Sequence, residues 1–262
     1  MATYLDRILA AHRAAGAADG RAIEDVLEAA RAVAEPVRGF AAALALESAA
    51  GRMAVISEVK RRSPSKGDID ASLVPGVLAK AYAAGGATCL SVLTDADFFG
   101  GSPVDLADAR AAVELPVLRK DFTVREADVC DARLMGADAV LLIAAALDDA
   151  ELSAFLHLAG ELGLDALVEV HDEAELDRAI HAGASLIGVN QRDLVTFEVD
   201  GRRAERVVAA MPADVVKVAE SGVANGGDAR RLRDAGFDAV LVGEALVRSG
   251  DPAAAVEAMR CS

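Results

Sequence analysis

Glu58 and Lys60 stand two residues apart at the end of an apolar run, Met53 to Val59. Alternate residues of a strand point the same way, so a carboxylate and an ammonium would share one face as the chain leaves a core. The pattern recurs. Arg119, Lys120 and Asp121 close the run at Val117–Leu118, Glu169 lies near the end of Ala166–Val170, and Glu220, Ser221 and Gly222 follow Val215–Val218. Thr94 and Asp95 follow Cys89–Leu93, Asn190 with Arg192 and Asp193 follows Leu186–Val189, and Gly243–Glu244 follows Ala239–Val242. Singly, each has a plain structural reading: an ion pair at Glu58–Lys60, a surface pair at Lys120–Asp121, a turn at Ser221–Gly222. Two lysines and at least three glutamates at the ends of buried strands are a different matter, because buried charge is costly unless paired. Opposed Lys and Glu side chains suit proton transfer around a carbonyl. No histidine is expected at a strand end, so the acid is expected to be a lysine whose pKa is lowered by burial or by the second lysine. Glycines after the last two runs, Gly222 and Gly243, with Glu244 opening a short helix, suit a phosphate ester, and Lys60 and Ser63 would add contacts.

These residues need a scaffold that gathers strand ends. From Met53 onward, short apolar runs alternate with Ala-rich segments of helical period, such as Leu73–Ala84, Pro103–Val113, Val124–Met135, Asp149–Leu162, Glu173–Ala182 and Asp228–Ala235. Glycine follows several of them, as in "AGGA", "MGADAV" and "HAGASL", where a helix stops. The strands are apolar almost throughout, as strands of a parallel sheet buried on both faces are. About eight strand–helix units predict an α/β fold, the (β/α)8 TIM barrel. An open doubly wound sheet would want a Gly-rich phosphate turn, and neither GxGxxG nor GxxxxGK[ST] occurs. "GADAVLLI" and "GFDAVLVG" read as a shared helix-to-strand joint. Two amphipathic helices are predicted before the first strand, over Tyr4–Arg13 and Ile23–Ala30. The chain is read as a single domain, 1–262, with a helical extension over about 1–48 and the barrel over about 49–262.

The 262 residues carry 27 Lys+Arg against 42 Asp+Glu, a formal charge of −15, which argues against nucleic-acid or anionic-membrane binding. An anionic substrate would then need a local positive pocket. Cys89, Cys130 and Cys261 are far apart with no CxxC, which suits a reducing cytoplasm, and the four histidines show no metal-site spacing. No apolar run is long enough to span a membrane, and Asp6 and Arg7 interrupt any signal-peptide core.

"EVKRRSPSKG", "LSVLTD…FFGGS", "PVLRKDF", "ADAVLLI", "LVEVHDEAEL", "IGVNQRDL", "VAESGV" and "VLVGEALV", in that order from Phe40 to Met259, resemble the indole-3-glycerol phosphate synthases of tryptophan biosynthesis. The resemblance implies a lyase that converts 1-(2-carboxyphenylamino)-1-deoxyribulose 5-phosphate to indole-3-glycerol phosphate by ring closure, decarboxylation and dehydration. It implies no cofactor and no metal. By motif, Lys120 resembles the general acid that protonates the ketone. Lys60 resembles the lysine near the substrate carboxylate and phosphate, with a part in dehydration. Glu169 resembles the carboxylate of the dehydration step, and Glu58 the one that orients and tunes the lysines. Asn190 and Ser221, with Glu220 beside them, resemble the groups that position the anilino nitrogen and the carboxylate, and Arg192 braces the site. Ser63, Gly222, Gly243 and Glu244 resemble the phosphate shell. Phe98 or Phe99, Phe122 and Leu141 would wall the aromatic ring. Glu244 stands where some members carry Ser, so only its backbone N–H is expected to face an anion; Ser57 stands where Ala is common. Ser63 to Gly67 is expected to be a mobile loop closing over substrate, with Arg61 and Arg62 solvent-facing or bracing. The expected partner is a small phosphorylated substrate, and the protein is expected to be a cytoplasmic monomer, with weak association to other tryptophan-pathway enzymes left open. Two other readings compete. A phosphoribosylanthranilate isomerase would want a Cys/Asp pair at strand ends, which Cys89 and Cys130 do not supply; a non-catalytic paralogue would not need Lys60, Lys120 and Glu169 intact.

Overall fold

The computed structural model describes residues 3–64, 67–192 and 201–260, so Cys261 and, among the residues singled out above, Ser65, Lys66 and Asp193 lie outside the described residues. Eight strands, β1 (Ala54–Val59), β2 (Cys89–Leu93), β3 (Val117–Lys120), β4 (Ala139–Ile143), β5 (Asp165–Val170), β6 (Leu186–Asn190), β7 (Val216–Glu220) and β8 (Ala239–Val242), pair in parallel and in sequence. β1 pairs with β8, and the sheet closes into a barrel. Closure buries both faces of every strand, which is why the strands lack polar alternation. Ile56, Leu118, Leu141, Leu167, Val218 and Leu241 fill the interior. Outward residues such as Val55, Val92, Val140 and Val189 join the layer under the surrounding helices.

The sequence places Lys120, Asn190 and Glu220 at the ends of β3, β6 and β7, just past their apolar runs, and the structure agrees. In the structure, ladder pairing carries each of these polar residues inside its strand, as Leu93↔Lys120 and Asn190↔Glu220. Rigid sheet, rather than loop, therefore presents the side chains.

The two predicted N-terminal helices are α1 (Tyr4–Ala18) and α2 (Ile23–Arg31). A third, α3 (Phe40–Ala49), was not legible, because "FAAALALESA" is apolar on nearly all sides and shows no stripe. It plugs the bottom of the barrel, with Phe40 and Leu44 fully buried among the interior side chains. The repeated helix-to-strand joint explains how it is held. Asp138 accepts from the Arg38 and Val117 N–H groups at 2.8 and 2.7 Å, Asp165 from the Ala41 N–H at 2.9 Å, and Asp238 from the Ser48 hydroxyl at 2.5 Å.

The loop after β1 carries a two-residue hairpin, Arg62–Ser63 against Gly67–Asp68. Arg61 and Arg62 brace it. Arg61 pairs with Asp105 and donates to the Leu73 carbonyl, and Arg62 donates to the carbonyls of Ala96 and Asp97.

Candidate active site

The mouth of the barrel holds a ring of charged side chains over one cavity of about 680 Å³, a size suited to a small ligand. Glu58, Glu169 and Glu220 are each at most 3 % exposed, so each must have partners. Lys60 forms an ion pair with Glu58. Lys120 lies between β5 and β7, with Nζ 3.5 Å from Glu169 Oε2 and 3.8 Å from Glu220 Oε2. Asn190 Nδ2 donates to Glu169 Oε1 at 3.1 Å, and the Arg192 N–H donates to Asn190 Oδ1 at 3.0 Å.

Two glycines leave the room that the carboxylates occupy. A Cβ on Gly188 would overlap Glu220 Oε1 and lie 3.1 Å from its Cδ; a Cβ on Gly243 would overlap Glu58 Oε1 and lie 3.2 Å from its Cδ.

Burial opposes the Lys120 charge, but Glu169, Glu220 and Glu58 outweigh it and raise its pKa above the usual lysine value. This corrects the expectation of a lowered pKa: Glu58 pairs with the neighbouring Lys60, and Lys120 itself faces carboxylates. Burial also opposes the charges of Glu58 and Glu169, yet Lys60 and Lys120 hold Glu58, and Lys120 and His171 hold Glu169, below the usual carboxylate range. Glu220 goes the other way. Burial first, then the Glu169 charge, push it well above that range, which favours its neutral form and a hydrogen bond shared with Glu169.

At the anion end, Ser63, Gly222, Gly243 and Glu244 line the same cavity. The Glu244 carboxylate pairs with Arg248 Nε at 3.5 Å. Ser221 has φ 63° and Gly222 φ 73°; Ser221 is the one non-glycine with positive φ among the described residues. Gln191 holds this turn, its side-chain amide donating to the Ser221 carbonyl at 2.8 Å and its N–H to the Glu220 carbonyl at 3.0 Å. A Cβ in the left-handed region costs about 1–2 kcal/mol. Ser221→Gly is therefore expected to be more stable than Ser221→Ala by about 1 kcal/mol in denaturant melts, the reverse of the usual order. Equal stabilities would show that the turn is unstrained.

Phe99, Phe122 and Leu141 line the opposite wall, with the two rings 6.2 Å apart. Phe98 instead packs edge-on against Tyr4 at 6.0 Å. Arg119 turns to the helix side, where it donates to the Asp128 carbonyl and pairs with Asp121.

Sequence reasoning missed several lining or adjoining groups. Tyr4, Leu5 and Ile8 of α1 line the cavity, although their periodicity signalled only a packed face. Arg248 lines it one helical turn after Glu244, a spacing that could have flagged it. His171 directly follows β5 and corrects the expectation of no histidine at a strand end. His12, Asp95 and Asp121 bring ligand-type atoms within 4.8 Å of one another. Asp95 already accepts from the Phe98 and Phe99 N–H groups, and Asp121 from Phe122 N–H, Thr94 and Arg119. With His12 Nε2 2.9 Å from Asp95, the cluster is a clasp that seats α1 on the barrel rim.

Comparison with known proteins agrees with this architecture. The family model described as indole-3-glycerol phosphate synthase matches residues 5–259. A protein of that name from Micrococcus luteus is 55% identical over 79% of this chain and 78% of its own length. One from Paracidovorax citrulli is 48% identical over 98% of both chains, and indole-3-glycerol phosphate synthase 2 of Streptomyces coelicolor is 52% identical over 87% of both. Among solved structures, a thiamine phosphate pyrophosphorylase from Pyrococcus furiosus aligns with TM-score 0.59 at 18% identity, covering 79% of this chain and 93% of that one. An N-acetylmannosamine-6-phosphate 2-epimerase from Clostridium perfringens aligns with TM-score 0.61 at 15% identity, covering 76% and 89%. At those identities the likeness is one of fold.

Proposed function

Since the chain belongs to the indole-3-glycerol phosphate synthase family, we propose that its ring of lysines and glutamates divides the work of one ring closure. The enzyme is a carboxy-lyase: 1-(2-carboxyphenylamino)-1-deoxyribulose 5-phosphate becomes indole-3-glycerol phosphate, carbon dioxide and water. The observation that carries the assignment of roles is Lys120 Nζ, held between Glu169 and Glu220 in the cavity that also holds the Gly222–Gly243 end.

The phosphate lies against the backbone of Gly222 and Gly243, with Ser63, Lys60 and Arg248 near it. The aromatic ring lies between Phe99, Phe122 and Leu141. Asn190 and Ser221 orient the anilino nitrogen and the carboxylate. Pinning both charged ends brings the ring carbon onto the ketone and supplies proximity. As that carbon–carbon bond forms, the carbonyl electron pair moves to oxygen, which takes a proton from Lys120. Carbon dioxide departs and leaves its bonding pair in the ring, restoring aromaticity. Glu169 then removes the carbon-bound proton next to nitrogen, and the hydroxyl leaves as water with a proton from Lys60. Glu58 holds Lys60 in place for this step.

Tyr4, Leu5 and Ile8 line the cavity beside barrel residues, which supports one working unit of extension and barrel. The free, buried thiols of Cys89 and Cys130 suit the cytoplasm, and no described helix is long and apolar enough to cross a membrane.

The chain contains no tryptophan, so indole emission can come only from product. Mixing the protein with its carboxyphenylamino substrate is expected to give rising indole fluorescence. A flat trace from folded protein would refute the proposal.

A further inference from the structure

One demand of the reaction lies outside these roles. The lysines hand over two protons per turnover, one to the ketone oxygen and one to the departing hydroxyl, while Glu169 recovers only one. The substrate carboxylate leaves as neutral carbon dioxide, so each cycle takes one proton from water into a site whose carboxyls are almost fully buried.

His171 connects the two. It follows β5 directly, is 8 % exposed, and packs against α8 (Glu173–His181). Its Nδ1 lies 3.0 Å from Glu175 Oε2, and its backbone N–H donates to the same oxygen at 2.8 Å. Its Nε2 is buried with no hydrogen-bond partner among the described residues and points to within 3.5 Å of Glu169 Oε1. A buried unpaired nitrogen is costly, so its orientation calls for an explanation. Glu169 Oε2, in turn, is 3.5 Å from Lys120 Nζ. At the other end the Glu175 side chain is 18 % exposed. A run of proton-carrying groups thus leads from the water-facing edge of α8 to the Lys120 ammonium.

We propose that Glu175, His171 and Glu169 form a proton relay that recharges Lys120 after each turnover. The relay rests on the ring-closure reading above. A proton from water enters on Glu175 and passes to Nδ1 as another leaves Nε2 for Glu169. After ring closure Glu169 passes that proton to the Lys120 amine and is a carboxylate again when the carbon-bound proton must be taken. After dehydration it returns the carbon's proton along the same path while Lys60, whose side chain is 18 % exposed, regains one from water. The net uptake is therefore one, and the imidazole resets by turning its ring. No bond other than N–H and O–H changes. The charged groups that face His171 are Glu169 from β5, Glu175 from α8 and Arg203 from α9 (Gly201–Ala210). Burial works against a charged ring, and Arg203 with it, but the two carboxylates outweigh both and ease the arrival of a proton at Nδ1.

The test is His171→Gln, which keeps a hydrogen-bonding side chain but carries no transferable proton. With product emission as the readout, kcat is expected to fall by about tenfold with KM within twofold of wild type. Rising imidazole at fixed pH and ionic strength should restore the rate, and wild type should ignore imidazole. Glu175→Gln, at the more exposed end, should show the same dependence with a smaller loss, and it carries the test alone if the histidine variant does not fold. A wild-type kcat in both variants would overturn the relay, as would a lowered kcat that imidazole leaves unchanged, which marks a purely structural role. Absent emission from wild type would instead remove the ring-closure reading on which the relay rests.

Discussion

Lys120→Ala is expected to lower kcat by about 10³–10⁴-fold while substrate still binds, because general acid catalysis contributes on that scale. The half-buried ammonium lies 3.5 Å from Glu169 and 3.8 Å from Glu220, and its pKa is raised, so it carries its proton when the ketone arrives. A raised pKa does not forbid donation. The developing alkoxide is a far stronger base than a ketone, and the lysine needs only to lose its proton as that charge appears. The phosphate shell, Ser63 with Gly222 and Gly243, and the walls of Phe99 and Phe122 do not involve Lys120, so KM should move by only a fewfold. The variant should fold, at a cost in stability that depends on pH. A lysine whose folded pKa exceeds its unfolded value adds stability that is fully present below about pH 10.4 and is lost as pH rises through the higher folded value. The variant lacks that contribution throughout. It also loses the cation that lowers Glu58 and Glu169, so those groups take up protons more readily in the folded state. The deficit relative to wild type should therefore be larger at pH 8 than at pH 5, as read by thermal melts. A deficit independent of pH over that range would show that Lys120 is not coupled to the carboxylates.

Gly188→Ala is expected to lower kcat by about 100-fold without touching any reacting group. The new methyl would occupy the place of Glu220 Oε1 and lie 3.3 Å from Leu167 Cδ1, which itself fills the barrel. Glu220 must then rotate away from Glu169 and Lys120, and misplacements of about 1 Å cost about this much. Overpacking should also destabilise the fold by about 1–3 kcal/mol. Gly160→Ala on helix α7 (Asp149–Glu161) is the control: a Cβ there meets nothing within 4 Å, and alanine stabilises a helix by about 0.5–1 kcal/mol relative to glycine. Identical turnover in Gly188→Ala and wild type would mean that the position of Glu220 does not matter to the chemistry.

Much of this was readable in the sequence because a parallel barrel makes a repetitive signal. Apolar runs, Ala-rich amphipathic segments and glycine stops fall close to the observed elements, and polar residues at the ends of the runs must converge on one mouth. What could not be read depended on contacts distant in sequence. The plug helix Phe40–Ala49 buries Phe40 and Leu44 in the barrel floor but is apolar on its exposed side too, with Leu46 73 % exposed, so it has no stripe to detect. The sign of the Lys120 shift depends on which strands bring glutamates beside it, and only the register of β5 and β7 against their neighbours decides that. The room for Glu220 comes from Gly188, a residue that in the sequence is one small letter in an apolar run. His171 sat in plain view after the fifth strand, but its link to Glu169 needed the direction of its ring.

The most direct test of the central claim is a single turnover with enzyme in excess over the carboxyphenylamino substrate, followed by indole emission in wild type and Lys120→Ala side by side. The account predicts that wild type converts each substrate molecule to one emitting product, while the folded variant binds the substrate and stays dark over the same interval. Indole appearing from the variant at the wild-type rate would contradict it.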